Sequence, residues 1–399
     1  MNQKASINSL FNIVYLVFLI VWQPIKLLFI QIDGKGRIPF LLTLLVLVFN
    51  LAFNSEVRKL MVSKPFVIWL IWIVFAFINM MFQGYHYESN TPVFFLINHL
   101  FTPYLALVLT CYEGMRNRSQ LLKVLLFSFA FYCILGFLFM GIRTNDDSSV
   151  TLGNALAINC SLLVFLLCVS RYEQTLSRYS YLLLMVFLLF VIITTATRKA
   201  FGASIILLAF YGLSIVALKP KKIILIMVLA LGGYIGISYL MNNTYLGERF
   251  HATSEQAENR EATASDSKFL QMVGDRAPHY VLGWELFKRN PVTGIGLLNF
   301  QYVTGFPERL HTEYMVQFTE NGLVGFVLFV LYYLWFINKL FKLRKFSDGS
   351  GYGFLGLGWI AALLFLAITA WTYDMTSAFI CSGIVASFVY SFNRSENVQ

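Results

Sequence analysis

Long apolar runs separated by short polar or basic connections occupy most of the chain. A helix that crosses the hydrocarbon core of a bilayer needs about 20 mostly apolar residues, since each residue rises about 1.5 Å and the core is about 30 Å thick. Runs of this kind stand at 10–31, 37–54, 65–83, 96–112, 121–142, 151–169, 179–197, 200–218, 222–241, 312–338, 354–372 and 376–392. The pattern predicts an all-α polytopic membrane protein with about twelve transmembrane helices and no internal repeat. Its organisation is lopsided. Residues 1–241 form a nine-helix transmembrane region, 242–310 a large loop between helices 9 and 10, and 311–399 a three-helix C-terminal region with a tail. The first run follows a single positive residue, Lys4, without a small-residue cleavage site, and reads as a retained helix.

Inside the long loop, 253–268 is polar and poor in aromatics, the composition of a flexible surface segment. Beyond it, Tyr280, Trp284 and Phe287 fall on one face of a helix that ends at Lys288, Arg289 and Pro291, and such an amphipathic helix suits the membrane interface. The tenth run then opens in an unusual way. HTEYMVQFTENGLVG (311–325) puts a histidine, two glutamates and an asparagine at the lip of an otherwise hydrocarbon segment.

Composition agrees with the membrane reading: 58% of residues are hydrophobic and 13% charged, and the mean hydropathy is +0.68. The net charge of +10 is accounted for by orientation, because short loops rich in Lys and Arg stay cytoplasmic. With the N-terminus inside, Arg58, Lys59, Lys64, Arg116, Arg118, Lys123, Arg171, Arg178, Lys219, Lys221, Lys222, Lys339, Lys342, Arg344 and Lys345 all fall on the cytoplasmic side. The short outer connections hold only Lys35, Arg37, Arg143, Arg198 and Lys199. Both termini are then cytoplasmic, and the loop 242–310 faces the periplasm or cell exterior. No soluble basic patch with interleaved aromatics exists, which excludes a nucleic-acid partner. The five cysteines lie in or at the ends of predicted helices without metal-ligand spacing, and read as buried packing.

Several polar residues gather at the outer ends of the predicted helices: Arg143, Arg198, Asp374 and His311. Arginine between two apolar runs is costly unless it serves a cavity or a partner. Several arginines beside a titratable histidine, with no nucleotide or metal motif, suit a lipid substrate that carries phosphate. The guanidinium binds phosphate oxygens through paired charge-assisted hydrogen bonds and stays protonated when desolvated. In a transfer from a lipid diphosphate, fixed arginines would stabilise the leaving group and His311 would take the proton of an attacking sugar hydroxyl. Asp374 would pair with an arginine or orient the site. Glu313, beside the histidine, has two readings, a member of the site or a carboxylate turned to the headgroups.

The stretch from His311 resembles the signature of the O-antigen ligase and polymerase superfamily: a histidine, usually Asn, Ser or Gln, nine residues and GxxG. Here His311 is followed by Thr312, residues 313–321, and Gly322 to Gly325. Thr312 departs from the usual residue but keeps a hydrogen-bonding side chain. NPVTGIGLLNF (290–300) is similar to the segment that precedes the histidine in the family, and the resemblance covers roughly 140–390. It implies a lipid-linked-sugar (GT-C-like) glycosyltransferase of the bacterial inner membrane that needs no cofactor or metal. The implied donor is a glycan on polyprenyl (undecaprenyl) diphosphate, with a glycan acceptor and other polysaccharide-assembly membrane proteins as partners. It makes His311 the catalytic base and Arg198 and Arg276 the diphosphate ligands; Arg143, Asp374, Glu313 and Thr312 are read from their own contexts as supporting residues. Gly322 and Gly325 are expected to let helices pack closely below the histidine.

Two classes of function follow. One is transfer of the glycan, as a repeat-unit polymerase of O-antigen or capsule or as a ligase to lipid A core. The other is a polytopic transporter, which would call for two related halves and broken helices near the midplane.

Overall fold

A computed structural model describes residues 3–28, 37–84, 86, 91–140, 147–195, 197–215, 277–305, 309–310, 312–346, 349–368, 370, 372 and 375–396. All of the regular structure among these residues is helical. The N-terminal part comprises α1 (Gln3–Leu28), α2 (Arg37–Phe53), α3 (Ser55–Met61), α4 (Phe66–Phe82) and the short α5 (Pro92–Phe95). A π-helical turn, Leu96–Phe101, leads into α6 (Thr102–Met140), followed by α7 (Asp147–Tyr172), α8 (Arg178–Thr194) and α9 (Arg198–Ile215). Then come α10 (Ala277–Arg289), α11 (Phe300–Thr304), α12 (Glu313–Leu343), α13 (Ser350–Ala367) and α14 (Thr376–Glu396).

Five of these helical stretches are long and apolar enough to cross a bilayer on their own, and others are shorter but apolar. The chain is therefore polytopic. The predicted span 222–241 and the polar segment 253–268 lie outside the described residues. The spans expected at 96–112 and 121–142 are joined, because α6 runs from Thr102 to Met140 with a break at Asn117 (φ −151°, ψ 76°). At about 1.5 Å per residue a straight helix of this length would far exceed the hydrocarbon core, and the break at Asn117 divides it into two apolar stretches.

The centre of the molecule is built from α6, α7 and α14, whose facing side chains are almost wholly buried. Small residues bring α6 and α14 together. A Cβ on Gly114 would meet Ser387 at 2.8 Å, and one on Gly383 would meet Thr110 at 2.6 Å. Close backbone approach of this kind supplies van der Waals contact where lipid offers no hydrophobic contrast. The α1–α2–α6 contact adds side-chain hydrogen bonds. Asn12 donates to Glu113 at 2.9 Å and accepts from Asn50 at 2.9 Å, and Tyr15, Thr43 and Thr102 form a second chain. All five cysteines are buried free thiols.

A second layer carries the candidate site. Helix α13 packs on α9, while α12 lies between α13, α4 and α10. Gly202 faces Phe365, and Gly358 faces Phe210, so α9 and α13 run antiparallel and the start of α9 stands level with the chain just after Ala367. Helix α13 stops at Ala367, short of the expected 372. The segment that follows gives its backbone to a different partner, described next.

Candidate active site

Helix α12 is not one rod. Gly322 adopts φ 62° and ψ −164°, a conformation essentially confined to glycine. In an unbroken helix the N–H groups of 323 and 324 would bond the carbonyls of 319 and 320. Here the loop 291–296 takes both sides of that pairing. Leu323 N–H donates to Pro291 O at 2.8 Å and Val324 N–H to Val292 O at 3.2 Å. The carbonyls of Thr319 and Glu320 accept from Ile295 N–H at 3.0 Å and Gly296 N–H at 2.9 Å. Four backbone groups left open by the break are thus satisfied by insertion of the loop into the helix, as a helix in lipid requires.

The insertion explains the glycines of the loop. Gly294 and Gly296 have φ of 72° and 87°. A Cβ on Gly294 would lie 2.5 Å from the Glu320 carbonyl carbon, and one on Gly322 would lie 2.5 Å from Gly294 N. Gly322 therefore does not mediate helix packing as expected from the sequence; it makes the break and admits the loop backbone. Gly325 is buried and looks toward its own Asn321 and, at 3.4 Å from an added Cβ, Phe75 of α4.

Side chains lock the loop from both sides. Asn79 of α4 donates to Thr293 O at 2.6 Å and to Glu320 O at 3.1 Å. Asn299 donates to Ile295 O and Gly84 O, each at 2.9 Å. The carboxylate of Glu320 accepts from Leu298 N–H at 2.9 Å and Phe300 N–H at 3.4 Å. Helix α10 leans on the same part of α12: Thr319 donates to Gly283 O at 3.0 Å, and Phe287 meets Phe318 edge-on at 5.2 Å. The amphipathic helix read around Tyr280, Trp284 and Phe287 is present as α10, with Trp284 exposed and His279 buried against Phe300.

The nine residues between Thr312 and Gly322 carry a second network. Glu313 is fully buried. One of its oxygens accepts from Gln317 Nε2 at 2.6 Å; the other accepts from Thr372 N–H at 2.7 Å and Thr372 Oγ1 at 3.4 Å. Gln317 in turn accepts from Trp72 Nε1 at 2.8 Å and Asn321 Nδ2 at 3.3 Å. Of the two readings of Glu313, the headgroup-facing one is excluded by this burial. The carboxylate ties the start of α12 to Thr372, beyond the end of α13. Thr312 precedes the first residue of α12, is buried, and donates to Ala367 O at 3.4 Å.

Among the arginines, Arg198 opens α9 and is half-buried. Because α9 packs antiparallel on α13, its start and the end of α13 lie toward the same side. His311, Arg143, Arg276 and Asp374 lie outside the described residues. Leu310 and Thr312, which flank His311 in the chain, are buried, as is Thr372. Sequence reasoning passed over Glu320 and Arg309. Glu320 stands in the stretch that drew attention, and its signal was a carboxylate directly beside the GxxG. Arg309 is half-buried, with Nε donating to Gln301 at 3.3 Å, and its signal was a cation two residues before the histidine.

Residues 183–330 match the family model described as O-antigen ligase. This supports the O-antigen ligase and polymerase superfamily read from the sequence. The O-antigen ligase match takes in Arg198, Arg276, the inserted loop, His311, Glu313, Glu320 and both glycines of GxxG. It is narrower than the resemblance over 140–390, leaving out Arg143 and Asp374. The match covers 148 of the 399 residues, somewhat over a third of the chain. No curated protein matches the chain.

Proposed function

We propose that the protein transfers a glycan from polyprenyl diphosphate to an acceptor sugar hydroxyl on the extracytoplasmic face of the bacterial inner membrane, as a repeat-unit polymerase of surface polysaccharide. The observation that carries this reading is the interrupted start of α12. The part after the break, 323–343, is by itself about 30 Å long and sufficient to span. The part before it is therefore released from spanning and can present His311 above a buried polar floor of Glu313, Gln317 and Asn321.

In the proposed reaction His311 accepts the proton of the acceptor hydroxyl as its oxygen attacks the anomeric carbon, a contribution of about 10²–10⁴ in rate. The bond from that carbon to the diphosphate oxygen breaks, and the charge of the departing polyprenyl diphosphate falls on Arg198 and Arg276. Glu313 positions the residues around Asp374 through Thr372. Arg143, Thr312 and Asp374 support the site. No cofactor or metal takes part in this scheme. The lysines at the far end of α12, Lys339, Lys342 and Lys345, support placing that end in the cytoplasm and the histidine outside, with both termini inside. The division into a nine-helix region at 1–241, a loop at 242–310 and a three-helix region at 311–399 belongs to the same proposal.

A ligase is the second reading, favoured by the description of the matching family. The test is the glycan profile of a strain lacking the gene, complemented with the wild-type protein. A polymerase restores long chains to a strain that carries single repeat units at its surface. A ligase instead clears long chains that have accumulated on the carrier lipid. Restoration of neither, with carrier-bound precursor trapped on the cytoplasmic face, would point to transport and overturn the proposal.

A further inference from the structure

At the opposite end of α12 from the candidate site, a cleft of about 370 Å³ is lined by Lys339, Lys342, Leu343, Lys345, Phe346, Val389 and Phe392. Three features distinguish it from the scattered cations expected at helix ends. It is concave, with buried Leu343 and Val389 lining it and Phe346 and Phe392 close together at a centroid separation of 6.2 Å. Its lining contains three lysines and no carboxylate. None of these lysines makes an ion pair or hydrogen bond among the described residues, whereas nearby cations are engaged. Arg118 pairs with Glu173 at 2.9 Å, and the Arg344 guanidinium lies over Phe354 at 4.2 Å.

Three lysines line one cleft with no counter-charge among the described residues, and an anion between them relieves their mutual repulsion. An ammonium is a compact donor that suits a phosphate as a point charge. The apolar part of the cleft lies at the end of two membrane helices, where an acyl chain runs past. We propose that this cleft binds one anionic glycerophospholipid, its phosphate among Lys339, Lys342 and Lys345 and the upper part of an acyl chain against Phe346 and Phe392. Basic pockets between helices at a membrane surface recognise acidic headgroups in this way. The proposal does not depend on the reaction assigned to the other end of the protein.

The test is native mass spectrometry of the purified full-length protein in detergent, titrated with phosphatidylglycerol or with phosphatidylcholine of the same acyl chains. The wild type is expected to retain one phosphatidylglycerol at least about tenfold more tightly than phosphatidylcholine. The triple variant K339Q/K342Q/K345Q is expected to lose that preference, and K339R/K342R/K345R, which keeps both the charge and the orientation signal, to preserve it. Millimolar inorganic phosphate should not displace the lipid. Equal retention of the two lipids by the wild type would overturn the proposal without reference to any variant. So would an unchanged preference in a glutamine variant that unfolds at the wild-type temperature. Displacement by inorganic phosphate alone would reassign the cleft to a soluble anion.

Discussion

Among the described residues, α6 and α12 each carry one non-helical residue inside them, and they are broken in opposite ways. In α6 the break at Asn117 is repaired within four residues. Its Oδ1 accepts from Gln120 N–H at 3.1 Å while its Nδ2 donates to Gln120 Oε1 at 3.0 Å, and both residues are exposed. This is a helix N-cap at a break between two apolar stretches. In α12 the break at Gly322 is buried, and its orphaned groups are met by a loop some thirty positions earlier in the chain. A local break divides one helix. A break repaired from a distance joins separate parts of the chain, and here it joins the two motifs that carry the family resemblance.

The contrast can be broken most severely at Gly322. Gly322→Ala places a Cβ against Gly294 N and Val292 O, at a backbone conformation that costs a non-glycine residue about 1–3 kcal/mol before any clash. Glycan transfer by membranes containing this variant should fall at least about 100-fold, as expected when reacting groups are displaced by about an ångström. Full activity would show that the inserted loop has no bearing on the site.

Glu320→Gln comes next. Its two oxygens each accept a backbone N–H, and an amide would turn a donor toward one of them, a penalty of about 1–3 kcal/mol. The apparent unfolding temperature in detergent should drop and transfer should weaken with it, whereas an unchanged melting profile would argue that the carboxylate does not hold the loop. Glu313→Gln carries a similar local cost, since Gln317 already offers its oxygen to Trp72 and Asn321 and cannot turn to accept. As a positioning change it should lower kcat more than it raises KM for the lipid-linked donor; a pure KM effect would contradict that role. The smallest effect is expected at the other break. Asn117→Ala removes an exposed cap worth about 1 kcal/mol, so transfer by the inserted protein should stay near wild type. A large loss there would erase the distinction between the two breaks.

What was legible in the sequence follows the same division. The break at Asn117 was visible because apolar runs end on both sides of it and its capping residues are neighbours in the chain. The membrane character and helix α10 were legible for similar reasons, since hydropathy, periodicity and a terminating proline act over short distances. The break at Gly322 was not. A run from 312 to 338 reads as one span because the loop that replaces its hydrogen bonds leaves no mark on its hydropathy. The glycines of GIG and GxxG were noticed as separate motifs, yet only their juxtaposition reveals that each makes room for the other. Glu313 and Thr372 likewise belong to different predicted spans, and nothing local announces that a carboxylate in one will accept from the backbone of the other.

His311, at the lip of α12, is the proposed base of the catalytic site. The most direct measurement is transfer from a purified polyprenyl-diphosphate-linked glycan by the purified protein, comparing wild type with His311→Ala, each with and without a chelator. A loss of about 10²–10⁴ is expected in the variant, with an unfolding temperature close to wild type and no chelator effect on the wild-type rate. Normal turnover by a folded His311→Ala protein would contradict it.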